Sequence, residues 1–269
     1  MSGSKLFEVR GTLSSNAKIA SLIIGSAIFL AIWIVITEFQ MVPKGILPSP
    51  LKILFSFKEL HFEDALVRNA LFSLRLNIYG YLEAVAITLP LGFVIGLFPV
   101  FRAMFNPYIS ASRFLPLTAL VGVFIAWFGI QINMKVQFLA FSIFIYLLPV
   151  VIQRIDEVEE VYMQTAKTLG ASKWQLIRSV FIPDVVSRVF DDIRVLAALS
   201  WTYIIVAELV NSSDGGIGAL AYIAGRQTRI DKVFAILIVI MAIGLIQDRI
   251  LIAMDKIIFP HKFAAKGVN

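Results

Sequence analysis

Between Lys18 and Glu38, between Arg113 and Lys135, and between Lys135 and Arg154 the chain carries no charged residue. Runs of this length match the roughly 20 residues that a helix needs to cross a hydrocarbon layer of about 30 Å. Inside a bilayer each backbone N–H and C=O must be satisfied within the element itself, so each run is expected to be a transmembrane helix. The supply of charge points the same way. Of 269 residues, 59% are apolar and 16% charged, against about a quarter charged in soluble domains.

Six spans are expected, in an all-α, polytopic membrane fold. The first lies between Lys18 and Glu38; it is too long for a signal-peptide core and is expected to stay as a span. Pro43, Pro48 and Pro50 then break the chain, and Leu51 to Leu60 suit the interface. The second, after a stretch interrupted by Arg75 and Glu83, is Leu76 to Pro99. The third and fourth flank Lys135 as a hairpin turning around Gly129 to Asn133. The fifth lies between Arg194 and Asp214, with Glu208 its one charge, and the sixth starts at Val233 and resumes at Ile250 after Gln247. This divides the chain into an N-terminal segment 1–18, a membrane domain 19–262 and a tail 263–269.

Placing both termini in the cytoplasm puts 15 of the 24 basic residues there, including Lys5, Arg10, Lys18, Arg102, Arg113, Arg154, Lys256 and Lys266, while the other nine, of which Lys44 is the first and Lys232 the last, fall outside or in the outer lead-ins. The net charge of +6 is scattered at span ends, with no basic block to track a nucleic acid. There is no Cys, and the two His, His61 and His261, have no metal-ligand spacing. No G-x-x-x-x-G-K-[ST] stretch is present to cradle phosphates, and no nucleophile elbow, so the residues indicate no enzyme and no bound cofactor.

The connection 154–194 has its own punctuation. Glu157 to Leu169 holds good helix formers, Gly170 stands where a left-handed residue would end them, and Ser172 to Gln175 has the S-x-x-Q form of a capping box. A helix, a glycine hinge and a second helix running to Pro183 are expected. Such a pair can pass force to a partner, or can be only a compact connector.

Gln164-Thr165-Ala166, then Gly170, then Val180-Phe181-Ile182-Pro183 matches the spacing of the E-A-A, three residues, G, nine residues, I-x-L-P motif of ABC importer permease subunits. Ala166 to Gln175 resembles the nitrate, sulfonate, taurine and bicarbonate group of that family. Phe114 to Leu117 with Trp127 to Ile130, Ala207-Glu208 with Gly216 to Gly218, and Arg229 to Ala235 extend the resemblance over 64–262. The family's Glu and first Ala are Gln164 and Thr165 here, so the contact that the resemblance implies lacks the motif's carboxylate at this position.

The resemblance implies that Gln164, Thr165, Ala166, Gly170, Ala171, Ser172, Lys173 and Trp174, with Pro183, form the contact with a cytoplasmic ATPase subunit. It also implies a bacterial inner-membrane location, a second permease copy in a homodimer, ATP used only by the partner subunits, and an external substrate-binding protein. The solute expected is nitrate, a sulfonate such as taurine, or bicarbonate, with a pyrimidine vitamin precursor as an alternative. An ion-coupled secondary transporter and a membrane scaffold remain as rival classes.

Three further residues, Glu208, Arg226 and Arg229, are candidates for the solute pathway. Glu208 is ionisable within a span and so suggests a pathway or an ion pair, with Glu83 a weaker case. Arg226 and Arg229 could meet an anionic solute, or simply sit among lipid headgroups. Gly92 and Gly96 form a GxxxG pair that could bring helices together or face lipid.

Overall fold

The computed structural model describes residues 11, 13–43 and 45–264; Lys5, Arg10, Lys44, Lys266 and the tail 265–269 lie outside the described residues. All regular structure among the described residues is helical. Five helices are long and apolar enough to cross a membrane: α1 (Ser15–Glu38), α3 (Leu66–Leu97), α6 (Ile132–Asp156), the continuous stretch Lys173–Val210, and α11 (Ile230–Ile258). A bent pair makes a sixth if it is counted as one span.

That bent pair replaces the expected third span. Instead of one helix between Arg113 and Lys135, the chain forms α4 (Pro99–Ser112), a 3-10 turn (Leu117–Leu120) and α5 (Val121–Phe128), with a 96° bend between the two halves. Pro116, just before the 3-10 turn, keeps its predecessor out of the helical region and explains the break. Gly129 at φ +72° then ends α5 and leads into α6.

The bundle is built on α3 and α6, which pack along most of their length. They run in the same direction. A Cβ on Gly80 would lie 2.9 Å from the Val136 carbonyl, one on Gly92 2.5 Å from Val151 Cγ1, and one on Gly96 would strike Ile155 Cδ1. The GxxxG pair therefore faces α6 rather than lipid. Helices in lipid gain little from hiding apolar surface, so close backbone approach and dispersion contacts hold them together. Because α3 and α6 are parallel, residues 98–131 must carry the chain back from one end of the bundle to the other.

The second expected span is longer than its sequence boundaries indicated. Helix α3 starts at Leu66 and includes both Arg75 and Glu83. Arg75 is exposed beside Tyr79, and Glu83 accepts two bonds, at 2.8 and 3.0 Å, from the Gln137 side chain on α6. Each polar group has a partner or a route to the surface, so no break is needed.

The stretch ending in α9 (Ile182–Val210) lies antiparallel against both partners. Tyr81 donates to the Ile193 carbonyl, Asn77 and Ser200 exchange hydrogen bonds, and the hydroxyls of Tyr146 and Tyr203 meet at 3.2 Å. Helix α11 packs on α9 through the Trp201 to Gln247 bond (2.8 Å) and the Arg194–Asp248 pair (3.0 Å). The short α2 (Pro50–Phe62), opened by Ser49 and Pro50, is pinned to the start of α11, where Arg229 and Lys232 reach Glu59 at 2.8 and 3.4 Å. Helix α1 stands apart. Its membrane-length window has no buried residue, and it touches the bundle mainly where Trp33 meets Phe234 and donates to the Pro48 carbonyl.

The Gly92 contact generates a test. Gly92→Val should lower the thermal stability of the detergent-purified protein by about 1–3 kcal/mol through overpacking. Adding Val151→Ala should restore part of the loss; a double variant no more stable than Gly92→Val would show that this approach is not the cause.

Candidate functional site

At the end of α6 the chain turns into α7 (Glu160–Thr168), which has no buried residue at all. Its stop is complete. Gly170, at φ +79°, donates to the Lys167 carbonyl at 2.9 Å, and Ala171 donates to the Ala166 carbonyl at 3.0 Å, which is the paired-bond ending that a left-handed residue permits. Ser172 then caps α8 (Lys173–Leu176): its hydroxyl accepts from the Gln175 amide while the Gln175 side chain accepts from the Ser172 amide, at 3.3 and 2.8 Å. Two helix ends thus meet across Ala171 with their orphan groups satisfied.

The second helix does not stop at Pro183. It passes through a π-helical turn (Ile177–Phe181), in which the Ile182 amide reaches back to the Ile177 carbonyl, and continues as α9. Pro183 lacks an N–H and its ring crowds the carbonyl four residues before it, and the wider turn there accommodates this. The expected separate helix is therefore the beginning of a 38-residue rod, Lys173–Val210.

Ion pairs fix the base of this corner. Arg154 grips Asp192 with two bonds of 2.7 and 2.8 Å and reaches Glu157 at 2.6 Å, while Arg188 donates to the Glu157 carbonyl. Bidentate pairing of this kind gives direction as well as strength. The Arg154 hydrogen bond, helped by one from Gln153, holds the Glu157 carboxyl below its usual range.

The tip of the corner is apolar and bare: Leu169 is 83% exposed and Trp174 67%. Gln164, Thr165, Ser172, Lys173 and Pro183 are exposed, and Ala166 and Ala171 partly so. Gln164, where the motif has Glu, donates to the Glu160 side chain one turn earlier at 3.1 Å. Beside the tip is an open recess of about 450 Å³, lined by Tyr162, Thr165, Ala166, Leu169, Val180 and Pro183, with His261 on one wall. The corner thus brings the motif residues to one surface.

The expected pathway residues are not brought together. Glu208 is fully buried; its carboxylate accepts from the Ser73 hydroxyl at 2.6 Å and the Gly218 amide at 2.8 Å. Arg229 is spent on Asp231 and Glu59, at 2.9 and 2.8 Å. Arg226 is exposed and lies over the Tyr222 ring. Sequence reasoning missed Lys135, read only as a span boundary. It is fully buried, donating to the Asn211 carbonyl at 3.0 Å and lying 3.2 Å from Asp214. Asn69 and Ser73, one turn apart near the start of α3, were also missed; a polar pair spaced i, i+4 was the available signal.

Residues 88–258, which contain the corner and both helices that brace it, match the family of the binding-protein-dependent transport system inner membrane component. The chain belongs to this family. The taurine transport system permease protein of Escherichia coli is 26% identical over 239 residues, covering 87% of this chain and 86% of its own. The nitrate import permease protein of Synechococcus elongatus is 28% identical over 255 residues, covering 87% of each. Among solved structures, the inward-facing MetNI methionine ABC transporter shares the fold, with a TM-score of 0.58 at 16% identity over 70% of this chain and 94% of that one.

The permease is thus a multi-pass inner-membrane subunit of an ATP-driven ABC importer, not an enzyme, and works with ATPase and substrate-binding subunits. This sets aside the ion-coupled and scaffold readings. The Glu157 contact leads to a pH test. With its carboxyl held low by Arg154, its stabilisation is complete above the ordinary Glu range near about pH 4.3 and is lost as pH falls through the depressed value. Amide protection factors in 157–170, taken relative to the intrinsic exchange rate at each pH, should fall on acidification, and in Arg154→Gln they should be lower at neutral pH and depend less on pH; identical profiles would remove the Arg154 contact from the loop's stability.

Proposed function

We propose that the corner formed by α7, Gly170 and α8 is the handle gripped by the ATPase subunit. The observation that carries this is a contrast: α7 buries none of its residues, yet its base is clamped by Arg154 to Asp192 and its tip presents Leu169 and Trp174 to solvent. An apolar tip on a rigid, polar-satisfied turn suits a groove on another subunit. Gln164, Thr165, Ala166, Gly170, Ala171, Ser172, Lys173, Trp174 and Pro183 are the contact residues of this reading. With a neutral Gln164, nearby acidity comes from Glu160.

The same reading places this end of the bundle, and with it both termini, in the cytoplasm. It pairs two permease copies about a two-fold axis so that two handles meet two ATPases. ATP-driven closure of that pair would reorient both copies, because each state is favoured only as far as the ATPases bind it better. The solute proposed is a small anion or zwitterion of the nitrate and taurine kind. Support for this comes from the transport named for the relatives. Glu208 and Arg229, being enclosed or paired, are left out of the pathway, and Arg226 stays as a candidate for the outer entrance.

The chain has no native Cys, so single cysteines can be placed cleanly. Leu169→Cys and Trp174→Cys should cross-link to the ATPase subunit in the assembled transporter; failure of both would remove the docking role. At Gly170 nothing lies within 4 Å of an added Cβ, so only its positive φ resists substitution. Gly170→Val should abolish ATP-dependent uptake of taurine or nitrate while leaving insertion intact, and Gly170→Asn should retain much of it, since Asn tolerates the left-handed region. Equal uptake by both variants would show that the turn geometry is not used.

A further inference from the structure

The rod that begins at the Ser172 capping box ends beside Glu208, 38 residues spanning Lys173–Val210, or about 57 Å at 1.5 Å per residue. What Glu208 touches there is the start of α10 (Ile217–Arg226). The first amides of a helix have no partner inside it. Here three successive ones are held from outside: Gly216 donates to Asn69 Oδ1 at 2.8 Å, Ile217 to Ser73 Oγ at 2.7 Å, and Gly218 to Glu208 Oε2 at 2.8 Å. Ser73 in turn donates to Glu208 Oε1, so α3, α9 and α10 share one set of bonds. A carboxylate at this place is also favoured by the helix dipole.

Space is as restrictive as bonding. A Cβ on Gly216 would collide with the Glu208 carboxylate, and one on Gly218 would lie 2.9 Å from Oε2. Gly216 is held at φ +110° in addition. The two glycines are therefore small because Glu208 occupies the room a side chain would need. The end of α9 and the start of α10 cannot slide past one another without leaving a buried carboxylate unpaired, which is costly.

We infer that Glu208 is a positioning residue: the joint that makes α10 and its exposed face, with Tyr222 and Arg226, follow the displacement of the rod whose far end is the ATPase handle. This rests on the docking role proposed above. The joint delivers at α10 a movement that begins at Gly170, so its loss separates the two ends of the same helix. Loss of fold alone would disturb both.

The test uses the complete transporter in liposomes, with Tyr222→Cys as a maleimide probe on α10 and, in parallel, Leu169→Cys as the cross-linking probe on the handle. In the parent the labelling rate at position 222 should change between nucleotide-free and ATP-trapped states. Glu208→Gln keeps the shape but supplies one acceptor oxygen in place of two, and Gly218→Ala crowds the carboxylate without altering it. Both variants should lose the nucleotide-dependent change while retaining the Leu169 cross-link and ATP hydrolysis. Labelling that still follows ATP in both variants, with the cross-link intact, would overturn the joint alone, as would a parent whose labelling ignores nucleotide. Loss of cross-link and hydrolysis together with labelling would overturn it in favour of a purely structural role. Absence of the cross-link in the parent would defeat the docking reading, and the joint with it.

Discussion

The contact of α3 with α6 is the constraint on which the other elements depend. Two parallel helices in lipid approach this closely only where side chains are missing, and Gly80, Gly92 and Gly96 provide that face. Their parallel direction forces the chain to return between them, and α4 and α5 make that return as two short pieces at 96°. It also leaves one antiparallel position against both helices, which α9 fills through Tyr81, Asn77 and Tyr203. The corner of α7 and α8 then follows, because it connects the end of α6 to the start of that rod.

Polar groups in the bundle are placed by the same logic. In a medium without water each must find a partner, and here they gather at the two ends. Arg154, Asp192 and Glu157 clamp one end, and Lys135, Asp214, Asn211 and Glu208 hold the other. The middle is held by neutral pairs such as Asn77 with Ser200. Charge is thus concentrated where loops must be fixed, and Glu83 and Arg194, which lie within the spans, are paired from a neighbouring helix by Gln137 and Asp248.

Much of this was legible in the sequence where the signal is local. Gly170 and the Ser172 to Gln175 capping box gave the turn correctly, because both act within a few residues. Pro183 misled, since a proline ending one helix and a proline in the first turn of its continuation look alike in one dimension. The uncharged run after Arg113 hid its bend, as absence of charge records depth in lipid and not straightness. Glu208 could be placed only once Ser73, 135 residues away, was known to face it.

Helix α1 differs from the rest in having nothing to recognise. Apolar on every side, it is positioned by Trp33 and the buried Thr37 near its far end and otherwise by the bilayer. Such a segment is selected for what it contains more than for the order in which it contains it. Drift within the apolar alphabet leaves it unharmed, whereas a single methyl added along the glycine face of α3 does not. Two tolerances to substitution are therefore built into one membrane domain, a loose one at its lipid margin and a strict one at its axis.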